Sequence, residues 1–330
     1  MLTLWIVIFI VSLVVLVKGA DWLLKSSEKI GLAAGLSPFI VGVVIVGLGT
    51  SFPEIVSSLV ATFEGVTEIV TANAVGSNIA NILLIIGLSA VIGGRLSVTK
   101  NLIDLDLPLL AISTVLFLGI IWDRSVTLGE SILLMLLFGI YIFYTIRHRD
   151  GDEEEEIEKL PTRTDRRKHI THPKKREVAR PKLVPKDFFI LALGIAGLIF
   201  GAKYLVDSVI ELAEILDIGA GVISLVAVAF GTSLPELLVS VKAAWQKKAE
   251  IALGNIFGSN IFNILLVVGV PGLFKTLHVD AQTFSLGIPV MTAATILFVI
   301  SGISRKIHMY EGAMYLVIYF FFLGKLFELI

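Results

Sequence analysis

The stretch GTSFPE at residues 49–54 is repeated as GTSLPE at residues 231–236, with five of its six positions identical. The segment at 73–87 likewise recurs at 255–269, where ten of 15 positions are identical. Both matches share one offset of 182 residues and need no gap. Two ungapped matches at a single offset indicate that the chain is a duplicated half.

The composition of the chain is typical of a membrane protein. Of its 330 residues, 56% are hydrophobic and 17% are charged, whereas soluble domains usually have about 45–50% apolar and about 25% charged residues. The apolar residues form runs of roughly 20, the length that crosses a hydrocarbon core of about 30 Å. The net charge of −1 gives no indication of a nucleic-acid partner. The absence of cysteine excludes disulfides and thiolate metal sites.

Apolar runs and polar breaks predict an all-α integral membrane protein with ten transmembrane helices. The predicted helices lie near 2–28, 37–63, 70–95, 103–122, 127–147, 187–210, 219–245, 250–274, 282–302 and 309–329. The polar segment 148–186 joins an acidic run to a basic stretch and contains four prolines, a composition that cannot bury enough apolar surface to order itself. We therefore predict a first five-helix repeat at 1–147, a charged linker at 148–186 and a second repeat at 187–330.

The distribution of Lys and Arg predicts the orientation in the membrane. Nearly half of these residues lie in the linker, which places it in the cytoplasm and both termini outside. The loops on the predicted inner side carry Lys25, Lys29, Arg95, Lys100, Lys247, Lys248, Arg305 and Lys306. Two predicted outer loops, 64–68 and 207–217, contain no Lys or Arg. This pattern predicts a multi-pass protein of the cell membrane.

Five spans in each half mean that the second copy crosses the membrane in the opposite sense. Such inverted repeats place a shared site near the bilayer midplane, where broken helices meet. Glu54 and Glu236 lie within apolar runs, where a charged carboxylate costs at least about 2.5–3.5 kcal/mol unless it has a partner. Pro53 and Pro235 lack an N–H, so each helix is expected to break and to expose backbone carbonyls beside its glutamate.

Two polar stripes at helical spacing accompany the glutamates. Asn73, Ser77 and Asn81 follow each other at intervals of four, and the same pattern recurs at Asn255, Ser259 and Asn263. Carboxylate, amide, hydroxyl and carbonyl oxygens form a set that suits hard cations such as Ca2+ and Na+. Two carboxylates balance one Ca2+ or two Na+. The motif asparagines Asn73, Asn78, Asn255 and Asn260 have an alternative role, in which they only tie helices together.

The paired Gly-Thr-Ser-X-Pro-Glu and Gly-Ser-Asn-Ile-X-Asn-Ile motifs resemble the two α-repeats of the sodium/calcium exchanger family, within the cation/calcium antiporter superfamily. The resemblance covers nearly the whole chain outside the linker and is strongest to the prokaryotic branch. It implies Ca2+/Na+ antiport by alternating access at a central cluster of cation sites. The implied metal-ligand residues are Glu54, Glu236, Asn81, Asn263, Thr50, Thr232, Ser51, Ser233, Ser77, Ser259, Gly47 and Ala229.

One feature departs from the family pattern. Many relatives have Asp at one of the two positions that Asn81 and Asn263 occupy here. The site therefore holds at most two fixed negative charges, which leaves the Na+ stoichiometry and a K+ requirement open. A Ca2+/H+ antiporter or a K+-dependent Na+/Ca2+ antiporter is the alternative.

Other classes of protein fit the sequence less well. A channel is expected to be symmetric across subunits or to carry a filter-like loop, whereas an inverted repeat in one chain favours alternating access. An intramembrane hydrolase needs a nucleophile with a His or acidic partner, and all five His lie in the linker or near helix ends. We expect no enzyme activity and no cofactor. The expected partners are transported Ca2+ and Na+ and the lipid bilayer, with no nucleic acid and no obligatory protein partner.

Overall fold

The computed structural model describes residues 2–97, 107–147, 181–215 and 233–328, and these residues are mainly helical. The helices are α1 Leu2–Ala33, α2 Pro38–Glu64, α3 Glu68–Gly93, α4 Leu107–Asp123, α5 Leu128–Arg147, α6 Pro185–Ile215, α7 Leu234–Trp245, α8 Ala249–Gly272, α9 Thr283–Ile303 and α10 Met309–Leu326. The predicted ten-helix membrane fold is confirmed. The first part of the seventh predicted helix and most of the predicted linker lie outside the described residues.

Eight of the described helices are long and apolar enough to cross a membrane. The helix α4 is shorter, and only the second part of the seventh span is described, as α7. The helix α8 is buried along nearly its whole length, whereas α1, α5 and α10 leave most of their apolar side chains at least partly exposed. The most deeply buried part of the fold is therefore the region around α8, which carries the second polar stripe.

Helices α1 and α6 are the equivalent first helices of the two repeats, and they pack antiparallel through glycines. A Cβ placed on Gly19 would lie 2.8 Å from the backbone nitrogen of Leu198. A Cβ placed on Gly201 would lie 2.8 Å from the backbone nitrogen of Leu16. The offset of 182 converts the first contact into the second, so the interface is related to itself by a two-fold axis. Equivalent helices that run in opposite directions are the structural form of an inverted repeat.

Two short antiparallel ribbons, absent from the sequence-based prediction, obey the same symmetry. The strands are β1 Arg95–Ser97, β2 Ser125–Val126, β3 Leu277–His278 and β4 Lys306–His308. Strand β1 pairs with β4 through Leu96 and Ile307, and β2 pairs with β3 through Ser125 and His278. The offset of 182 converts the first pair into the second. Each ribbon therefore joins one repeat to the other at the ends of their helices.

The predicted break in the second helix is present at Ser51. This residue has φ −83° and ψ 4°, outside helical geometry, and a new helical segment with Pro53 in its first turn starts directly after it. Ser233, its equivalent in the second repeat, has φ −84° and ψ 2°. The segment Val41–Gly47 before the first break is π-helical. Irregular backbone of this kind is tolerated at membrane depth where it is buried in protein or lines a cavity.

Candidate functional site

The two glutamates of the repeated motif lie in the first turns of the helical segments that follow the two breaks. Glu54 is 1% exposed and Glu236 is 2% exposed. Within the described residues, Glu236 makes no ion pair with a Lys or Arg. A buried carboxylate without a cationic side chain requires a proton or a bound cation. The centre of the fold is therefore chemically suited to bind positive ions.

The serine at the first break connects the two repeats. The Ser51 hydroxyl is 3.3 Å from Oε1 of Glu236 and 3.0 Å from Oγ of Ser259. All three side chains are at most 2% exposed, so this group of oxygens is sealed from both sides of the protein. The structure thus brings together three of the predicted ligands from α2, α7 and α8.

The threonine that precedes the break is held by an asparagine of the opposite repeat. The Thr50 hydroxyl donates to Oδ1 of Asn255 at 3.1 Å and also lies 3.3 Å from the carbonyl oxygen of Gly47. Asn255 in turn donates through Nδ2 to the hydroxyl of Ser240 at 2.8 Å. Because both ends of its amide are occupied, Asn255 ties α2, α7 and α8 together. For this asparagine the structure supports the helix-tying alternative.

Several buried oxygens near the ends of the polar stripes lack a donor. Oδ1 of Asn81, Oδ1 of Asn260, Oδ1 of Asn263 and Oε2 of Glu236 have no hydrogen-bond partner among the described residues. Leaving a buried acceptor unsatisfied costs about 1–3 kcal/mol. A π-helical turn begins at Ala80, next to Asn81 in α3, and another begins at Asn263 in α8. Such turns often mark functional sites. These oxygens can serve as cation ligands.

The two serine pairs that flank the centre have different environments. Ser51 and Ser259 are fully buried and in contact. Their equivalents in the repeat, Ser233 and Ser77, both line a cavity of about 770 Å³. One flank of the centre is therefore closed, and the other is open to a large cavity.

The open cavity reaches the end of the molecule where α3 and α9 begin. Glu68 and Asp280 line it there, and no Lys, Arg or His is among its described lining residues. Partial burial acts to raise the pKa of Asp280, but hydrogen bonds from Thr283 and from the backbone of Gln282 outweigh it and lower the pKa. Asp280 is therefore ionised at neutral pH, and the cavity attracts cations.

The remaining predicted ligands are placed as follows. Gly47 is buried, and a Cβ placed on it would lie 3.3 Å from the ring of Phe262 and 3.6 Å from the carbonyl oxygen of Asn255. Thr232 and Ala229 lie outside the described residues. Sequence reasoning missed Ser240 and Met291, which contact Asn255 and Asn78 respectively. The repeat could have indicated Ser240, because its equivalent is Ser58 and each serine follows a motif glutamate by four residues. Met291 has no such signal.

Three comparisons relate this geometry to known proteins. The family model described as sodium/calcium exchanger protein matches residues 4–147 and 186–327. The sodium/calcium exchanger MaX1 of Methanosarcina acetivorans is 36% identical in an alignment that covers 99% of each chain. A solved structure of the sodium/calcium exchanger from Methanococcus jannaschii has a TM-score of 0.78 and 30% identity, covering 98% of this chain and 99% of that one. A structure of the exchanger NCX_Mj soaked with 2.5 mM Na+ and 0.1 mM Ca2+ has a TM-score of 0.76 and 30% identity, covering 97% of this chain and 98% of that one.

Proposed function

The chain belongs to the sodium/calcium exchanger protein family, and from this premise we propose that it is a secondary active antiporter exchanging Ca2+ for Na+ by alternating access. It is a multi-pass membrane protein with two inverted repeats. The transport reaction involves no enzymatic step and needs no resident cofactor. Ca2+ and Na+ are substrates that pass through the centre, and the lipid bilayer is the surrounding medium.

The unequal state of the two equivalent serine pairs is the observation that carries this proposal. Ser51 and Ser259 are sealed, whereas Ser77 and Ser233 line the cavity. The two pairs have nearly the same sequence context, so we attribute their difference to conformation. When the two repeats exchange conformations, the closed flank opens and the open flank closes. An ion at the centre would then reach one side of the membrane at a time.

The ligand chemistry supports Ca2+ and Na+ as the ions. The proposed ligands of the centre are all oxygens, and carboxylate and carbonyl oxygens are the ligands that Ca2+ prefers. The twelve residues that we propose as ligands are Glu54, Glu236, Asn81, Asn263, Thr50, Thr232, Ser51, Ser233, Ser77, Ser259, Gly47 and Ala229. Glu54 and Glu236 together neutralise one Ca2+, while the two asparagines add dipoles without charge.

We further propose that the protein lies in the cell membrane with both termini outside and the linker 148–186 in the cytoplasm. Two loops support this orientation. The loop between α7 and α8 carries Lys247 and Lys248 and lies on the proposed inner side, whereas the loop 64–68 is acidic, contains no Lys or Arg and lies on the proposed outer side. In this orientation the cavity beside Ser77 faces outward. We also propose repeat boundaries at 1–147 and 187–330, which are supported by the end of α5 at Arg147 and by the start of α6 at Pro185, two residues before the proposed boundary.

The test of the proposed function is Ca2+ flux into proteoliposomes under imposed ion gradients. We expect an outward Na+ gradient to drive Ca2+ uptake without K+ and without a pH gradient. Three Na+ per Ca2+ would move one net charge per cycle, worth about 2.3 kcal/mol per 100 mV, so the flux should respond to a valinomycin-set potential. Na+-driven flux that ignores the potential would indicate two Na+ instead. Flux that requires K+, or that a pH gradient drives without Na+, would overturn the proposal.

A further inference from the structure

Three buried side chains from three helices form a chain of contacts at the edge of the candidate site. Nδ2 of Asn263 in α8 donates to Oδ1 of Asn78 in α3 at 3.0 Å. Nδ2 of Asn78 lies 3.9 Å from the sulfur of Met291 in α9. Asn263, Asn78 and Met291 are 1%, 2% and 0% exposed. Asn263 occupies the third position of the polar stripe, one interval of four beyond Ser259.

The thioether determines which way both amides face. A methionine sulfur is a weak acceptor and never a donor, so the NH2 group of Asn78 belongs on the side of Met291. Oδ1 of Asn78 then faces Asn263 and accepts from its NH2 group. Oδ1 of Asn263 is left as a buried acceptor without a donor among the described residues. The reverse arrangement would place an amide oxygen against the sulfur and would leave an NH2 group of Asn263 free in place of an oxygen.

The residues related to these three by the offset of 182 do not reproduce this arrangement. The equivalents of Asn78, Asn263 and Met291 are Asn260, Asn81 and Leu109. Asn260 donates to the backbone carbonyl of Ile256 at 2.7 Å, and a leucine stands where the thioether would be. The contacts from Met291 through Asn78 thus form a side-chain relay that orients the amide of Asn263. The amide of Asn81 has no such relay.

We infer that Asn78, itself oriented by Met291, is a positioning residue that holds Oδ1 of Asn263 as a fixed neutral ligand and thereby favours Ca2+ over Na+. This inference rests on the proposed function, because it assumes that Asn263 faces the transported ion. The interaction of a fixed amide dipole with an ion scales with the ionic charge, so losing the orientation weakens the binding of a divalent ion about twice as much in free energy as that of a monovalent ion. Partners that orient metal ligands typically change affinity by about 10–100-fold when removed.

The experiment measures the equilibrium binding of Ca2+ and of Na+ to the purified full chain. We expect Asn78→Leu to raise the Ca2+ dissociation constant about tenfold and the Na+ dissociation constant about threefold, the square root of that factor. Met291→Leu conserves volume and removes only the acceptor, so it should shift Ca2+ binding in the same direction by a smaller factor. If Asn78 and Met291 only pack, their substitution should lower the unfolding temperature without weakening Ca2+ binding more than Na+ binding.

A double-mutant cycle separates positioning from general damage. In an Asn263→Ala background, Asn78→Leu should change the Ca2+ dissociation constant less than about twofold, because the ligand that it orients is gone. Full additivity of the two substitutions overturns the inference. Should Asn78→Leu fail to fold, the same cycle with Met291→Leu decides, since a Leu in place of Met is tolerated in cores. Ca2+ binding that shows the coupling, in a protein without Na+-driven flux, would sustain the relay and refute the proposed function.

Discussion

An ion pair at the closed end of the molecule should stabilise the conformation that the structure shows. Nζ of Lys242 lies 2.8 Å from a carboxylate oxygen of Asp21 and donates to the carbonyl of Val17 at 3.1 Å. In the opposite conformation of the proposed mechanism the two repeats exchange roles, so the equivalent residues Val60 and Lys203 would meet at the other end of the molecule instead. A lysine and a valine form no ion pair. Opening the closed end therefore loses an attraction that the equivalent pair at the other end does not replace.

The size of the effect follows from the exposure of the pair. The side chains of Lys242 and Asp21 are 18% and 25% exposed, so solvent screens the pair only in part. Exposed pairs contribute about 0–1 kcal/mol, and we assign this pair the upper value of about 1 kcal/mol. Because 1.4 kcal/mol corresponds to a factor of ten, Asp21→Asn should increase the population of the opposite conformation by about fivefold.

Cysteine labelling can measure both conformations, because the native chain contains no cysteine. Ser57 lines the open cavity, and its equivalent Val239 is 0% exposed at the closed end. A cysteine at 239 should react with an impermeant maleimide only when that end opens, and its rate should rise about fivefold with Asp21→Asn. The rate at a Ser57→Cys reporter should stay equal or fall.

Two variants control this experiment. The first, Lys203→Met, removes the charge at the position equivalent to Asp21. Because Lys203 joins no ion pair among the described residues, the labelling rates at positions 57 and 239 should not change. Exchanging the charges with Asp21→Lys and Lys242→Asp together should restore slow labelling at 239. An unchanged rate at 239 in Asp21→Asn would refute the reasoning.

Three further predictions concern the site, the packing and the topology. Glu236→Gln should reduce Na+-driven Ca2+ flux more than about 100-fold, because a divalent ion then has one carboxylate fewer in a low-dielectric site; near-normal flux in well-folded protein would remove this residue from the site. Gly19→Ala should destabilise the detergent-purified protein by about 1–3 kcal/mol in thermal unfolding, because its Cβ would lie 2.8 Å from a backbone atom of α6. The control Gly139→Ala has open space around its Cβ and should be neutral or slightly stabilising. A cysteine at Glu64 should be labelled only from outside and one at Thr164 only from the cytoplasm, and the same side for both would contradict the predicted orientation.

The repeat allowed the fold and the helix breaks beside the candidate site to be predicted. One offset identified the duplicated half, and an odd number of spans required the inversion that the contact between α1 and α6 displays. The proline beside each glutamate predicted the helix breaks at Ser51 and Ser233, since proline cannot supply the missing N–H. The ribbons were not predicted because strands of two or three residues carry no measurable alternation of apolar and polar positions.

Contacts between distant positions could not be read from the sequence. One partner of Asn78 is Met291, 213 residues away, and a buried methionine is ordinarily a core residue. The sequence also could not tell which serine pair is sealed, because Ser51 and Ser233 have nearly identical neighbours. That difference depends on the conformation of the whole chain and on no local feature.

The same symmetry that hides the conformation also shows where its energy must reside. If the two end states interchange the roles of the repeats, identical residues at positions 182 apart contribute equally to both states and cancel. Only positions at which the repeats differ can favour one state. Asp21 differs from its equivalent Lys203, and Lys242 differs from its equivalent Val60. Asp21 and Lys242 form the ion pair at the closed end of the molecule. In the proposed mechanism the repeated motif therefore supplies the ion site, while the unmatched residues around it set which side of the membrane that site faces.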